Sequence, residues 1–171
     1  ILNYPKRHQD RRKEITMRYA GTLLAVRDIK RARIFYETLF DCKVDMDLGV
    51  HVAFQNGVFL QQEDSWLEFI QKDKGTLVYG ANDAELYFDT HDLDAFVQKL
   101  TAFGVELVHP LQEHSWGQRA IRLYDPDLHI IEVGEELGVV ARRFLDAGMT
   151  REDAARRMDV PLDMIAVFLG E

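Results

Sequence analysis

A chain of 171 residues has room for one domain, or for two small modules fused over a shared core. Its 47% hydrophobic and 29% charged residues are ordinary proportions for a globular protein, and no apolar run approaches the ~20 residues that cross a bilayer. The net charge of −8 is uneven, since Ile1 to Thr16 holds five basic and two acidic residues (+3) and leaves −11 on the rest; so acidic a body argues against binding nucleic acid through its phosphates.

Ile1 to Thr16 is polar, lacks a consistent period, and reads as a tag, a leader or a disordered arm. It has no apolar core of the secretory type, so no export signal is expected. The single cysteine, Cys42, permits no disulfide within the chain, which fits a reducing, cytoplasmic setting. Met17 looks like a natural start. Tyr19 to Val26 suits a buried strand, Asp28 is a fair helix cap, and Ile29, Ala32, Phe35, Tyr36 and Leu39 recur at helical spacing. Val44 to Val58 alternates loosely and carries Asn56-Gly57, a two-residue hairpin signal, and Val58 to Gln62 is the return strand. This predicts β-α-β-β-β. The connector from Glu63 to Asn82 contains Trp66, Leu67, Phe69 and Ile70, which suit either a helical turn or a short strand.

The plan repeats from Ala84. A strand, Ala84-Glu-Leu-Tyr-Phe-Asp, leads to a helix capped by Asp92, with Leu93, Phe96, Val97 and Leu100 on one face and Gly104 at its end. Val105 to Val108 reads as a strand, His109-Pro110 as the start of a loop, Gln118 to Tyr124 as a strand, Asp125-Pro126-Asp127 as a turn, and Leu128 to Glu135 as the last strand. Val26 to Ile29 matches Thr90 to Leu93 at an offset of 64, and Phe54 to Gln61 matches Asp125 to Glu132 at an offset of 71. The repeat is too long for a solenoid and suggests a duplicated half-domain with a cleft between the halves. Leu137 to Glu171 is helical. Val140, Phe144 and Leu145 form a stripe, Thr150 caps a second helix, and Val160-Pro161 starts a third.

The doubled unit resembles the vicinal-oxygen-chelate superfamily, which includes glyoxalase I, bleomycin and fosfomycin resistance proteins and extradiol dioxygenases. The resemblance rests on Leu24-Ala-Val26-Arg-Asp28-Ile, Phe35-Tyr36 and Leu39-Phe40 in the first half. In the second it rests on Trp116-Gly-Gln-Arg119, Asp125-Pro-Asp127 and Ile131-Glu132-Val133. It implies an α+β fold of two tandem βαβββ modules (17–63 and 84–135) that form a cleft-shaped half-barrel sheet. The domain then spans 17–135, with a leader at 1–16 and a C-terminal helical extension at 136–171. Many chemistries share this fold, so the resemblance leaves the reaction open.

In metal-using members each half offers one ligand from its first strand and one from its last. The matching positions here are Gly21, Gln61, Glu85 and Glu132, with no histidine among them and no side chain on the first. Two carboxylates and an amide oxygen suit Mg²⁺ or Mn²⁺ better than Zn²⁺, and Ni²⁺ also enters the list of divalent candidates. Strand alternation puts Glu85 and Tyr87 on one face, Leu86 and Phe88 on the other, and likewise separates Glu132 from Ile131 and Val133. The loop holding His114 and Trp116 can overhang the cleft, whereas His51, His91 and His129 fall at strand ends or turns and read as solvated. Three states of the two carboxylates remain open. They bind a metal, they form an acid–base pair with separated pKa values, or they pair with Arg119 or Arg122.

Two functions follow. One is a glyoxalase- or dioxygenase-like enzyme, a lyase or isomerase, using Glu85 and Glu132 with Gln61 as a metal ligand and with Tyr87, His114, Trp116 and Arg122 around a small organic substrate. The other is a metal-free binding or resistance protein. In both, a homodimer is expected from the resemblance, with neither nucleic acid nor membrane as partner. The tail resembles helix-turn-helix wording, but Leu162-Asp-Met-Ile-Ala-Val-Phe-Leu offers almost no groups that read bases, so it is read as a helical cap or dimer contact.

Overall fold

A computed structural model describes residues 17–171; the tag-or-leader reading of the first sixteen lies outside the described residues. The first module runs β1 (Thr22–Val26), α1 (Ile29–Phe40), β2 (Val44–Asp47), β3 (His51–Phe54) and β4 (Val58–Gln62). A short helix, α2 (Glu63–Ile70), follows, which resolves the ambiguity around Trp66 in favour of a helix. The second module runs β5 (Glu85–Thr90), α3 (Leu93–Phe103), β6 (Leu107–Glu113), β7 (Arg119–Tyr124) and β8 (Ile130–Glu135). Helices α4 (Leu137–Asp146), α5 (Arg151–Met158) and α6 (Leu162–Leu169) complete the chain. Among the described residues no helix is long and apolar enough to cross a membrane.

Each module makes a four-stranded mixed sheet, in the orders β1-β4-β3-β2 and β5-β8-β7-β6, open rather than closed. The first strand of each pairs in parallel with the last, and the remaining pairs are antiparallel. The helices begin where the sequence caps them. Asp28 accepts from the backbone N–H of Lys30 and Arg31, and Asp92 from that of Ala95. Gly104, at φ 75°, ends α3 in the left-handed conformation.

Alternation along the strands divides each sheet into two faces. Val26, Val52, Phe54, Val58 and Leu60 of the first sheet share one buried core with Ile121, Leu123, Ile131 and Val133 of the second. The apolar stripes of α1 and α3 cover this core, with Phe35 against Phe103 at 5.9 Å and Phe40 against Phe88 at 4.6 Å. The opposite faces carry no such cover on β5, where Glu85, Tyr87 and Asp89 are exposed. The three C-terminal helices enclose a second, smaller core around Val140, Phe144, Ala154, Met158 and Ile165.

A polar joint ties the modules together. The Asp125 carboxylate lies in the turn between β7 and β8 and is buried. It accepts from the Tyr36 hydroxyl of α1 (2.9 Å), from His129 Nδ1 (2.9 Å), and from the backbone N–H of Asp127 and His129. Burial and the neighbouring Asp125 charge keep the Tyr36 hydroxyl well above its ordinary pKa, so it remains a donor. Asp127 accepts from the Arg27 backbone N–H, and Arg31 donates to the Pro126 carbonyl. His129 is therefore a structural partner rather than a solvated side chain.

One expectation changes. Strand β6 continues through His109-Pro110, where a loop was expected; it is an edge strand, and its ladder shifts register there, so a proline is tolerated. The two hairpins turn alike: Ala53 pairs with Phe59 and Tyr124 with Ile130, so His51–Gln61 occupies the rung of Arg122–Glu132.

Replacing Tyr36 by Phe keeps the ring packing and removes one donor from buried Asp125. It should cost about 1–3 kcal/mol in urea denaturation, whereas unchanged stability would mean that the joint does not depend on that bond.

Candidate functional site

Glu85 opens β5, and Glu132 lies in the middle of β8, the strand next to it. Both belong to the face turned away from α3, because Leu86 and Phe88, and Ile131 and Val133, point into the core. Arg122 of β7 is paired across the ladder with Glu132 and reaches both carboxylates. Its Nε donates to Glu85 Oε2 at 2.9 Å, and one terminal nitrogen donates to Glu85 Oε1 and to Glu132 Oε2. Its other terminal nitrogen faces His109 Nε2 at 3.3 Å, while His109 Nδ1 donates to the Pro110 carbonyl. That second bond puts the imidazole proton on Nδ1 and leaves Nε2 as an acceptor for Arg122.

Of the three states open to the carboxylates, the ion pair is the one observed. Its partner is Arg122; Arg119 instead joins Glu135 and Asp94. The Glu132 side chain is only 8% exposed, so without Arg122 its charge would be costly to hold beside Glu85. His109 was missed by sequence reading because the strand was ended one residue before it. His109 is the ladder partner of Arg122, between two register shifts of β6 against β7.

An aromatic shelf stands beside the ion pair. His114 and Trp116 stack with ring centres 4.3 Å apart and planes 9° from parallel. Trp116 Nε1 donates to Gln118 Oε1, and Gln118 Nε2 donates to the Tyr87 hydroxyl and to the Glu135 carbonyl. Gln118 is buried and was not anticipated, though it lies within the quoted word Trp116-Gly-Gln-Arg119. Burial, with help from Arg122 and His109, lowers the His114 pKa below its ordinary value. Tyr87 also lines, with Tyr19, Thr22, Asn56 and Glu85, a cavity of about 490 Å³ where β5 faces the start of the first module. Glu85, Tyr87, Arg122 and Glu132 thus share one sheet face, with His114 and Trp116 linked to it through Gln118.

Gln61 does not join them. It is 1% exposed, its carbonyl accepts from His51 Nδ1 (2.8 Å), and its amide donates to Ser65 at the start of α2 (2.6 Å). Its place in the hairpin is that of Glu132: the turns align Ala53–Phe59 with Tyr124–Ile130, so the His51–Gln61 pair corresponds to the Arg122–Glu132 pair. The counterpart of Glu85 is Gly21, where an added Cβ would lie 2.1 Å from the Gly57 carbonyl oxygen and 2.9 Å from the Phe59 ring. The corner that holds two carboxylates in the second module holds a glycine and a buried, hydrogen-bonded amide in the first.

A divalent ion of the kind the resemblance implies does not fit these residues. The first module offers a glycine and an amide already bonded to His51 and Ser65, and the second offers two carboxylates that share a guanidinium. Among the described residues, no three His, Cys, Asp or Glu side chains converge as a metal site.

Comparison with known proteins agrees with the fold. Residues 19–138 match the family model described as a glyoxalase-like domain. No curated protein matches the chain. A protein of unknown function from Agrobacterium tumefaciens str. C58 is 40% identical, with a TM-score of 0.65 over 71% of this chain and 95% of that one. A glyoxalase/bleomycin resistance protein/dioxygenase family enzyme from Burkholderia phytofirmans PsJN shares 18% identity over 68% and 97% of the two chains, with a TM-score of 0.61. A lactoylglutathione lyase from Agrobacterium tumefaciens shares 22% over 67% and 90%, with a TM-score of 0.53. The last two likenesses concern the fold alone.

The lowered pKa of His114 has a sign. The folded chain resists protonation of this ring, so the unfolded chain takes the proton first as pH falls through the ordinary value of ~6.5. His114 therefore subtracts from stability as pH falls below that value, the loss growing until pH passes its own lower pKa and staying in full below it, and it contributes nothing above both. An NMR titration of its ring protons should show a midpoint below ~6.5; a midpoint at or above that value contradicts the assignment.

Proposed function

This chain belongs to the glyoxalase-like family of the vicinal-oxygen-chelate superfamily, and from the charges on its second module we propose that it binds a flat, positively charged small molecule without a resident metal ion. The observation that carries this reading is Arg122 held between Glu85 and Glu132. One guanidinium against two carboxylates leaves the corner with a net charge of −1. Only Oε2 of Glu132 is engaged by Arg122, so its second oxygen is left for a ligand donor. His109 acts as an acceptor and His114 resists protonation, so neither adds positive charge. Trp116 and Tyr87 supply π faces, and Tyr87 is 54% exposed. Such faces attract cations, and the acidic body raises their local concentration.

A metal-dependent lyase or isomerase is the competing reading. It needs Arg122 to release both carboxylates, needs Gln61 to leave His51 and Ser65, and needs a further ligand that Gly21 does not supply. The reading proposed here is the resistance-type or sequestering one, in which binding itself is the function. The openness of β5 suits a homodimer in which a second copy closes the cleft. The lone cysteine, Cys42, is buried and free, which suits the expected reducing cytoplasm.

Two dyes of opposite charge test the reading. Proflavine, a planar aromatic cation, should bind the wild-type protein, and anilinonaphthalene sulfonate, an anion of similar size, should not compete with it. Glu132→Gln should weaken proflavine by about tenfold, the equivalent of ~1.4 kcal/mol, and Trp116→Ala by a similar factor. Equal binding of both dyes, or indifference to Glu132→Gln, would overturn it.

A further inference from the structure

The family match ends at residue 138, so nearly all of the three-helix extension lies beyond it. The extension nonetheless packs directly under the loop that carries the aromatic shelf. Helix α4 starts two residues after β8 ends, and its Arg143 reaches back across the sheet end. One terminal nitrogen of Arg143 donates to the Gly117 carbonyl (2.5 Å) and to Glu135 Oε2 (3.0 Å). Its other terminal nitrogen pairs with Glu113 at 3.7 Å, and Arg157 of α5 reaches Glu113 at 3.4 Å. Phe144 lies against the same turn. Gly117 has φ 90°, and a Cβ there would sit 2.1 Å from the tip of the Phe144 ring, so loop and helix are in direct contact.

Glu135 is the pivot of this contact. It is 1% exposed. Its carboxylate takes Arg143 and both the backbone and side chain of Arg119, while its carbonyl takes Gln118. Burial alone would raise its pKa, but the bonds from Arg119 and the charge of Arg143 hold it below the ordinary carboxylate range. Gln118 in turn holds Trp116 Nε1 and the Tyr87 hydroxyl. A continuous set of bonds therefore runs from α4 through Glu135 and Gly117 to the ring that the ligand would meet.

We propose that the C-terminal helices are a working part of the ligand site, with Arg143 as the residue that positions the 114–118 loop and so sets the plane of Trp116. The role of that plane in binding rests on the function proposed above; its dependence on Arg143 does not. A shelf held from both sides is already ordered before the ligand arrives, which is how a supporting layer improves binding without touching the ligand.

Trp116 reports directly on this, because the chain has two tryptophans and Trp66→Phe leaves one. In that background, Arg143→Ala should red-shift Trp116 emission and increase its quenching by acrylamide, and proflavine should bind about tenfold more weakly. Arg143→Lys, which can reach Glu135 or Gly117 but not both, should restore part of each. If emission and quenching shift while proflavine binding never depended on Trp116, the positioning role stands and the function proposed above fails. If Arg143→Ala folds with Trp116 emission and quenching like the parent, the positioning role is wrong, whatever the dye does. If Arg143→Ala does not fold, Arg143→Lys decides: an intermediate shift supports the proposal, and parent-like emission overturns it.

Discussion

Two carboxylates placed on neighbouring strands of one sheet face repel each other, and the second module resolves that repulsion with a single guanidinium. Arg122 stands directly across the ladder from Glu132 and diagonally within reach of Glu85, so the register of β7 against β8 fixes the ion pair. One guanidinium satisfies the electrostatics of the corner but leaves it net negative. It also takes up the carboxylate oxygens that a cation of another kind would need. The site's acidity, its poor fit to a divalent ion and its suitability for an organic cation all follow from this arrangement.

That register depends on interactions further away. Buried Asp125 shapes the turn between β7 and β8 by accepting two backbone N–H groups, and it anchors the turn to the first module through Tyr36. At the opposite end of the same strands, Glu135 gathers Arg119, Arg143 and Gln118. One carboxylate therefore fixes each end of the β7–β8 ribbon, and the Arg122 corner lies between them. The first module contributes support rather than chemistry. Its matching corner is Gly21 packed beneath Phe59, and Gln61 is occupied with His51 and Ser65.

Much of this was legible in the sequence, and what was not has physical causes. The doubled βαβββ plan follows from Asp28 and Asp92 as caps, the helical stripes behind them and the alternation of Leu86, Phe88, Ile131 and Val133. Alternation also placed Glu85, Tyr87 and Glu132 on one face, and Arg119 and Arg122 stood as the two candidate partners for the carboxylates. Choosing between Arg119 and Arg122 needed the ladder, because both lie on β7 and only their pairing tells which carboxylate each can reach. The offset of 71 put Gln61 on the rung of Glu132, but sequence could not show that the Gln61 side chain is taken up by His51 and Ser65. His109 was lost because His-Pro looks like a loop opening, whereas an edge strand accommodates proline. The grip of Arg143 on Gly117 had no sequence signal, since it joins residues 26 positions apart through a backbone carbonyl.

Arg122 stands where a metal enzyme of this fold would need free carboxylates. Dialysis of purified protein against Mn²⁺ and Ni²⁺, followed by elemental analysis of wild type and Glu132→Gln, addresses this most directly. The account predicts far less than one equivalent of metal in both proteins. One equivalent in the wild type that disappears in Glu132→Gln would contradict it.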